Sequence, residues 1–494
     1  MTTQTSRKWF PEWINPFNIL VFFLWQSQSF MSVQMIFPIF SNYVSKWRCD
    51  GVGDFGKNCT IYNSGCKIEY ENNYFKSAAV SFGWICSDIS YLMAFSSQLQ
   101  FFALLLGTIV FGILSDAFGR RKIAVVNVSL GCLTILISSL IKNPYFFVGS
   151  RFILGFAVGG VSTSGITYCM EVLPSDKRIF VKLLFNWGLS RLLITTICYF
   201  FNDYNSALFV HGLLLIPAVL LLIFYFPESP TWCHYKNKEE QMIESEKKIA
   251  NYSHLKYVPI QHEKISKKES LFELLKQKET FKRLSVLWFM WFAVSLCSYG
   301  IDLSSNDISG DLFINQYFFA STIFISKILI PTIDDKFKWF TRRLFHQGSQ
   351  AVVVVCFGIL VFLVTIKYDG LAILMLNVTG IVFIEFGWDV CYICTIESMP
   401  TNVRTSAVGS CSLVARIGAI ISPILPYFNS YWSPMTYLIV AVLGSMSLLI
   451  SFLFLKETKN IALDRVHLTE KNDSNEGPSV ELLTREVKNA NENA

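Results

Sequence analysis

The feature that most constrains the fold is a series of apolar runs, each about 20 residues long, separated by short polar breaks. A run of that length matches a helix that crosses a hydrocarbon core about 30 Å thick. Of the 494 residues, 52% are hydrophobic and only 16% are charged, which is too apolar for a soluble protein of this size. The chain is therefore predicted to be an all-α membrane protein.

A charged central stretch divides the apolar runs into two sets of six. Residues 1–226 are expected to form the N-terminal half, with an extracellular loop at about 41–91, and residues 284–459 the C-terminal half. Residues 227–283 are expected to be a cytoplasmic linker with amphipathic helices at 238–252 and 270–283, and residues 460–494 a disordered cytoplasmic tail. The twelve expected spans are 18–40, 92–114, 123–141, 146–170, 181–201, 207–226, 284–301, 312–331, 350–366, 371–396, 405–427 and 435–455.

A short pattern is repeated in the two halves. The segments from Glu171 to Arg178 and from Glu397 to Arg404 both read E-x-x-P-x-x-x-R, 226 residues apart (397 − 171). A second echo, Glu-Ser at 228–229 and Glu-Thr at 457–458, has a spacing of 229 residues (457 − 228). Parallel repeats of six spans, with a substrate site between them, are a recurring plan of transporters.

Basic residues fall on one side of the membrane if there are twelve spans. That side holds Arg7, Lys8, residues 120–122, Lys177, Arg178, the linker, Lys336, Arg342, Arg343, Arg404, Lys456 and Lys459. The opposite short loops hold little more than Lys142, Asp203, Asp302, Asp307 and Lys367. Because loops rich in Lys and Arg stay in the cytoplasm, both termini are predicted to be cytoplasmic.

The longest loop on the opposite side carries four cysteines, Cys49, Cys59, Cys66 and Cys86. In an oxidising compartment they predict two disulfides, in one of three connectivities, and the alternative is reduced cysteines in an incidental loop. Asn58 begins an Asn-Cys-Thr triplet that matches the acceptor pattern for glycosylation.

The segment from Gly112 to Lys122 reads GILSDAFGRRK, in which glycines permit tight turns and Asp116 can pair with Arg120. This loop resembles the signature of the major facilitator superfamily. Other segments are similar to the organic ion transporters of that superfamily, the carriers of organic anions, organic cations and carnitine: WICSD at 84–88, RFILG at 151–155, PESPTW at 227–232 and TIESMPTNVR at 395–404. The resemblance implies the major facilitator fold, with twelve transmembrane helices in two six-helix halves. Sugar porters share several of these motifs.

One segment departs from the resembled pattern. The family often repeats the Asp-x-x-Gly-Arg-Arg loop after span eight, whereas this chain has DDKFKWFTRR at 334–343. The glycine is absent and the spacing is longer. The departure predicts a weaker cytoplasmic gate in the second half.

Two cations lie within expected spans, Lys327 in span eight and Arg416 in span eleven. Each costs about 2.5 to 3.5 kcal/mol at a helix centre on insertion scales, so each should face a partner or a polar cavity. In the resembled family, organic anion carriers have a Lys and an Arg at the matching places, and cation carriers typically have an Asp in place of the Arg. The resemblance therefore favours a carboxylate-bearing substrate held by Lys327 and Arg416.

Two acids of span ten offer alternatives. Glu385 and Asp389 are four residues apart and share a helix face, so they could neutralise Lys327 and Arg416 without a ligand. They could instead bind a substrate cation, a coupling proton or sodium.

Aromatic residues are abundant in the expected spans, and most of them must face lipid or neighbouring helices. Tyr299, in a Ser-Tyr-Gly triplet that resembles the family, is the best prediction for stacking on a substrate, and Trp187 is a second. The resemblance and the repeat also predict cytoplasmic gate residues, namely Asp116, Arg120, Glu171, Arg178, Glu397 and Arg404.

The expected function is secondary active or facilitative transport of small organic ions across the plasma membrane by alternating access, with organic anions or carboxylate-bearing zwitterions preferred. The alternatives are an organic cation or carnitine carrier, or a transport-inactive sensor or scaffold on the same fold. The sequence contains no G-x-x-x-x-G-K-[ST] loop and no catalytic or metal-binding constellation, so no enzyme activity, cofactor or metal is expected. The expected partners are the substrate, the lipid bilayer and a coupling ion or counter-anion; nucleic acid is not expected, because the net charge of +6 is spread between spans.

Overall fold

The computed structural model describes most of the chain between residues 15 and 457. The described residues are 15–57, 59–63, 65–71, 75–174, 178, 181–182, 184–255, 257, 278–305, 308, 310–336, 341–368, 370–399, 404–429, 431–455 and 457. The glycosylation acceptor Asn58, most of the second expected linker helix (270–277), residues 337–340 of the departing loop and the expected tail at 460–494 lie outside them.

The described residues contain twelve main helices, called spans 1 to 12. Spans 1 to 6 are Pro16–Ser41, Leu92–Phe118, Arg120–Leu140, Pro144–Val172, Trp187–Phe200 and Tyr204–Phe224. Spans 7 to 12 are Lys278–Ser304, Leu312–Lys336, Arg342–Thr365, Leu371–Ser398, Arg404–Ile421 and Met435–Phe454. Eleven of these regions are long and apolar enough to cross a membrane, and span 5 has 14 described helical residues. The all-α membrane architecture predicted from the apolar runs is therefore observed.

Local sequence signals explain where several spans begin. Asn15 and Asn143 accept backbone hydrogen bonds from the first turns of spans 1 and 4, and each is followed by a proline whose fixed φ suits a helix start. Asp203 caps span 6 in the same way through the backbone N–H groups of residues 205 and 206. These caps end the polar loops and start the apolar helices within a few residues of the predicted positions.

Two expectations about boundaries were wrong, for the same reason. Span 9 begins at Arg342, eight residues before the expected position 350, because its first turns are polar and pack against other protein groups. Asp302 was expected in a short loop, but it lies inside span 7 and is 3% exposed. Hydropathy places charged residues outside a helix, whereas a charged residue with a protein partner can remain inside one.

The loop at 41–91 contains a small sheet and two disulfides. Strand β1 (Trp47–Cys49) pairs antiparallel with β2 (Val52–Gly56) and with β3 (Ile68–Tyr70), so the strand order is β2-β1-β3. Cys49 is bonded to Cys66 and Cys59 to Cys86, which selects one of the three connectivities left open by the sequence. Short helices at Cys59–Tyr62 and Ala78–Ser81 complete this segment.

Further short helices connect the spans in the described part of the chain. Pro230–Tyr235 and Glu239–Tyr252 follow span 6, and the second of these corresponds to the linker helix predicted at 238–252. Ile424–Phe428 lies between spans 11 and 12.

Buried apolar side chains form two clusters, which define the two halves of the molecule. The first half is spans 1 to 6, whose cluster also includes Leu303, Leu312, Phe313 and Ala419 from later in the chain. The second half is spans 7 to 12, which form the other cluster. Spans 5 and 8, and spans 2 and 11, pack against each other across the boundary between the halves.

The ends of the spans define two faces. The loop face carries residues 41–91, which include Phe75, a residue in ring contact with Phe313 at the start of span 8. The opposite face, called the cluster face after its clusters of charged residues, carries the starts of spans 3 and 9, where Arg120 and Arg342 make ion pairs. Lys282, near the start of span 7, lies over the ring of Phe454 at the end of span 12. Because span 12 ends at the cluster face, span 7 begins there and runs to the loop face.

Candidate functional site

Lys327 of span 8 is neutralised by two carboxylates of span 10. Its Nζ donates to Asp389 Oδ2 at 2.7 Å and to the main-chain oxygen of Glu385 at 3.0 Å, and it lies 3.5 Å from Glu385 Oε2. Ser298 of span 7 donates to Glu385 Oε1 at 3.2 Å. The geometry thus matches the alternative in which Glu385 and Asp389 neutralise Lys327 without a ligand.

Arg416 of span 11 differs from Lys327. Within the described part of the chain, its side chain makes no hydrogen bond or ion pair, and its Nε is buried without a partner. Since an unpaired cation inside a membrane protein is costly, Arg416 is the group of this site that most needs an anion.

Charge is unevenly distributed over this part of the second half. Lys327 has two acids within 3.5 Å, and Arg416 has none among the described residues. The side chain of Asp389 is 36% exposed, whereas that of Glu385 is 9% exposed. The site therefore presents one unpaired cation, Arg416, and one partly accessible acid, Asp389, which is paired with Lys327.

The two aromatic candidates lie near the boundary between the halves. Tyr299 is half-buried and makes an edge contact with Phe101 of span 2, with ring centroids 4.8 Å apart. Trp187, the first residue of span 5, is half-buried against the apolar cluster of the first half. No described contact joins either aromatic residue to Arg416, so the structure does not bring Tyr299 or Trp187 into contact with that guanidinium.

At the cluster face, Arg120 at the start of span 3 pairs with two acids. Its Nη1 lies 2.6 Å from Asp116 Oδ1, and its Nε donates to Glu171 Oε1 at 3.3 Å. The expected Asp116–Arg120 pair is present. Glu171 pairs with Arg120 rather than with Arg178, whose Nε donates to the main-chain oxygen of Leu173 at 3.1 Å.

Glu228 caps the start of span 3. Its Oε1 accepts the backbone N–H of Arg121 at 2.8 Å, where the positive end of the helix dipole favours an anion. Gly119, directly before the span, has φ +119°, and a Cβ there would lie 2.5 Å from Glu228 Oε2. Glycine is therefore required at this turn, both for the backbone angle and for the approach of the carboxylate.

The second half repeats this arrangement despite the altered loop. Arg342 at the start of span 9 pairs with Glu397 at 3.2 Å, as Arg120 does with Glu171. Glu457 accepts the backbone N–H groups of Arg342 and Arg343, both at 3.0 Å, as Glu228 does for Arg121. These contacts form although the second half lacks the Asp-x-x-Gly-Arg-Arg loop, whose absence was the basis for predicting a weaker gate. The strength of the gate itself stays a prediction.

Threonine replaces the glycine in this second arrangement. Thr341 has an extended backbone and caps span 9 by accepting the N–H of Leu344 at 3.2 Å. A side-chain cap thus starts the helix where the first half uses a left-handed glycine. Arg404, the last predicted gate residue, donates its Nε to the main-chain oxygen of Ile396 at 2.8 Å, much as Arg178 does in the first half.

Sequence reasoning missed an ion pair between the halves. Arg191 of span 5 donates from Nη1 to Asp302 Oδ1 of span 7 at 2.5 Å and from Nη2 to Gln316 Oε1 of span 8 at 2.8 Å. The two charged side chains are 1% and 4% exposed. A charged residue within the apolar run WGLSRLLITTICYF was the available signal.

A second buried arginine was recognised only as part of a motif. Arg151 of span 4 is 2% exposed and donates from Nη1 to Gln34 Oε1 at 3.0 Å, while the other side of Gln34 contacts His211. The ring of Phe147 lies 4.6 Å from its guanidinium carbon. This network lies inside the first half and joins spans 1, 4 and 6.

Comparisons with known proteins agree with this architecture. The model of the family described as sugar (and other) transporter matches residues 55–469. An uncharacterized protein of Caenorhabditis elegans is 34% identical over 492 residues, covering 94% of this chain and 97% of that protein. The organic cation transporter protein of Drosophila melanogaster is 25% identical over 428 residues, covering 82% of this chain and 75% of that protein.

Among solved structures, the inward open conformation of the xylose transporter XylE from E. coli has a similar fold. The TM-score is 0.63 at 15% sequence identity, and the match covers 91% of this chain and 97% of that chain. At this level of identity the likeness concerns the fold alone. It confirms the predicted major facilitator architecture of twelve helices.

Proposed function

The chain belongs to the sugar (and other) transporter family of the major facilitator superfamily, and from that membership we propose that it carries small organic ions with a carboxylate group across the plasma membrane. It is a multi-pass membrane transporter by family. We also propose that it lies in the plasma membrane and that both of its termini are cytoplasmic.

The observation that supports this substrate class is the contrast between Arg416 and Lys327. Lys327 already has two carboxylate partners, so a substrate anion has little to gain from it. Arg416 has no acid partner among the described residues, and a guanidinium can bind a carboxylate through two parallel hydrogen bonds. We therefore assign the carboxylate of the substrate to Arg416, and to Lys327 the role of holding Glu385 and Asp389 in place.

Two features define the rest of the proposed substrate site. Tyr299 has its ring against Phe101 at the boundary between the halves, and we assign to it the aromatic or aliphatic body attached to the carboxylate. Trp187 stays a weaker proposal, because it packs on the first half away from these contacts. Asp389, whose carboxylate is partly accessible, suits a positively charged group at the other end of a zwitterion.

An organic cation or carnitine carrier is the second candidate, and the exposed carboxylate of Asp389 is the observation that favours it. Coupling to a proton or sodium would use Glu385 and Asp389.

A membrane transporter of this family needs no enzyme activity or cofactor for alternating access, and we propose none. The ion pairs at the cluster face would break and re-form as the two halves rock against each other.

The test is uptake into proteoliposomes of three labelled probes: an aromatic carboxylate, a carnitine-like zwitterion and a quaternary ammonium cation. Each probe is measured with the wild type, with Arg416→Met and with Arg48→Met, which removes a guanidinium from strand β1 of the loop at 41–91 as a matched control. Saturable uptake of the carboxylate or zwitterion, lost in Arg416→Met and retained in Arg48→Met, is the expected result.

Two outcomes contradict the assignment. Uptake of the ammonium probe alone, abolished by Asp389→Asn, would establish a cation carrier. Binding of a probe without saturable uptake would indicate a sensor or scaffold on the same fold.

A further inference from the structure

The buried ion pair of Arg191 with Asp302 joins the two halves. Arg191 is in span 5 of the first half, while Asp302 and Gln316 are in spans 7 and 8 of the second half. Gln316 also donates from Nε2 to Ser305 Oγ at 2.9 Å, and Ser305 donates to the main-chain oxygen of Asp302 at 2.5 Å. Arg191 therefore has these partners only when the two halves are together.

The contact between spans 5 and 8 is close on both sides of this pair. Toward the cluster face, a Cβ on Gly188 would lie 2.5 Å from the backbone nitrogen of Phe324. Toward the loop face, Tyr317 donates from its hydroxyl to Thr196 Oγ1 at 3.1 Å. The ring of Phe313, one turn nearer the loop face, stacks on Phe40 of span 1. Together these contacts hold span 8 against spans 5 and 1 from Phe324 to the loop face.

The ion pair lies between the proposed substrate site and the loop face. Asp302 follows Tyr299 by three residues in span 7, which places it about 4.5 Å further toward the loop face. A solute that approaches the neighbourhood of Tyr299 and Arg416 from the loop face must therefore pass the plane of Arg191, Asp302 and Gln316.

We propose that Arg191, Asp302 and Gln316 form the closure between the halves on the loop side, and that this closure opens in every transport cycle. The inference rests on the proposed alternating-access function, and it assigns positioning residues that neither the motifs nor the family name identifies. The three residues hold the halves together rather than bind the substrate.

The chemistry of the pair makes it suited to a reversible closure. Buried together, Arg191 and Asp302 satisfy each other's charge; separated in an open state, each would be hydrated. If one charge is removed, the other stays buried without an opposite charge in the closed state but can be hydrated in the open state, so the equilibrium shifts toward opening. If both charges are removed, that penalty disappears.

The experiment measures opening directly, without a substrate. Ala320 is fully buried and lies one helical turn from both Gln316 and Phe324, on the face of span 8 that meets span 5. Ala320→Cys is labelled with a membrane-impermeant maleimide applied from the side that carries residues 41–91, and labelling of the parent chain is subtracted. The reporter is combined with Asp302→Asn, with Arg191→Gln/Asp302→Asn, and with Tyr317→Phe.

Asp302→Asn should raise the labelling rate about tenfold or more, and the double variant should return it toward the wild-type rate. Tyr317→Phe removes a neutral hydrogen bond at the same seam and should change the rate by less than about twofold. Equal rates in the wild type and in Asp302→Asn would overturn the proposal, and so would an effect of the double variant equal to or greater than that of the single one.

If Asp302→Asn fails to reach the membrane, Gln316→Ala provides the same comparison, since it removes one partner of Arg191 and leaves the ion pair. Faster labelling of its Ala320→Cys reporter supports the closure, and an unchanged rate contradicts it. Because labelling needs no cargo, a failure here is distinct from a failure of uptake, which would concern the proposed function.

Discussion

Lys327 Nζ lies 2.7 Å from Asp389 Oδ2 and 3.5 Å from Glu385 Oε2, while Arg416 has no acid partner among the described residues. Both cations are in apolar helices, and the sequence assigns them equal roles. The contacts separate them: Lys327 belongs to a structural charge cluster, and Arg416 is left for a ligand. This difference leads to the first prediction.

Replacing each cation by methionine should have opposite consequences. Lys327→Met leaves Glu385 and Asp389 without their shared cation and should destabilise the fold by about 3–5 kcal/mol, the range for breaking a buried pair. Arg416→Met removes no described contact and should leave the thermal midpoint in detergent unchanged or slightly raised, while uptake of a carboxylate is lost.

A double variant gives the control for that comparison. Lys327→Met/Asp389→Asn removes one acid together with the cation and should recover part of the lost stability. Equal loss of stability in Lys327→Met and Arg416→Met would contradict the separation of their roles.

The second prediction concerns the repeated cap at the cluster face. Glu228→Gln and Glu457→Gln each remove a carboxylate that accepts backbone N–H groups at a helix start, in spans 3 and 9 respectively. Each should cost about 0.5–2 kcal/mol, because an amide oxygen can still accept but lacks the charge that suits the helix dipole. Thermal unfolding of both variants should show losses of similar size. A loss confined to Glu228→Gln would mean that the altered second loop does weaken its half.

The third prediction concerns the turn before span 3. Gly119→Ala forces a side chain onto a backbone with φ +119° and within 2.5 Å of Glu228 Oε2. It should lower stability by about 1–3 kcal/mol and reduce the transport rate. Gly112→Ala is the matched control, because a Cβ on Gly112 in span 2 would meet no atom within 4 Å. Its stability should be unchanged or raised. Similar behaviour of the two variants would refute a special requirement at Gly119.

The fourth prediction concerns the loop at 41–91. Non-reducing peptide mapping should recover Cys49 linked to Cys66 and Cys59 linked to Cys86. Replacing both members of one pair by serine should cost the loop about 3 kcal/mol of local stability, seen as faster proteolysis within 41–91, since closed loops of 17 and 27 residues restrict the unfolded chain. Recovery of Cys49 linked to Cys59 or Cys86 would show that the connectivity is wrong.

Much of the fold was predictable because it follows from local signals. The apolar runs, the Asn and Asp caps and the Arg-rich turns depend on residues close together in the chain, so spans 2, 8 and 12 begin at the expected residues. Span 9 was placed eight residues too late because its first turns are polar, and their partners, such as Glu397 and Glu457, lie 55 or more residues away.

Hydropathy and motifs along the chain were enough to identify a membrane protein of twelve helices, with a repeated charged motif in each half and cations at Lys327 and Arg416. The packing of the helices was needed to learn which cation is neutralised, which cysteines pair, and that Arg191 meets Asp302 across the two halves. The reason is physical: helix formation and membrane insertion are governed by hydropathy along neighbouring residues, whereas a buried charge is tolerated only where packing brings a partner from another helix. For Arg191 and Asp302, 111 residues apart, that partner is fixed by how the halves dock.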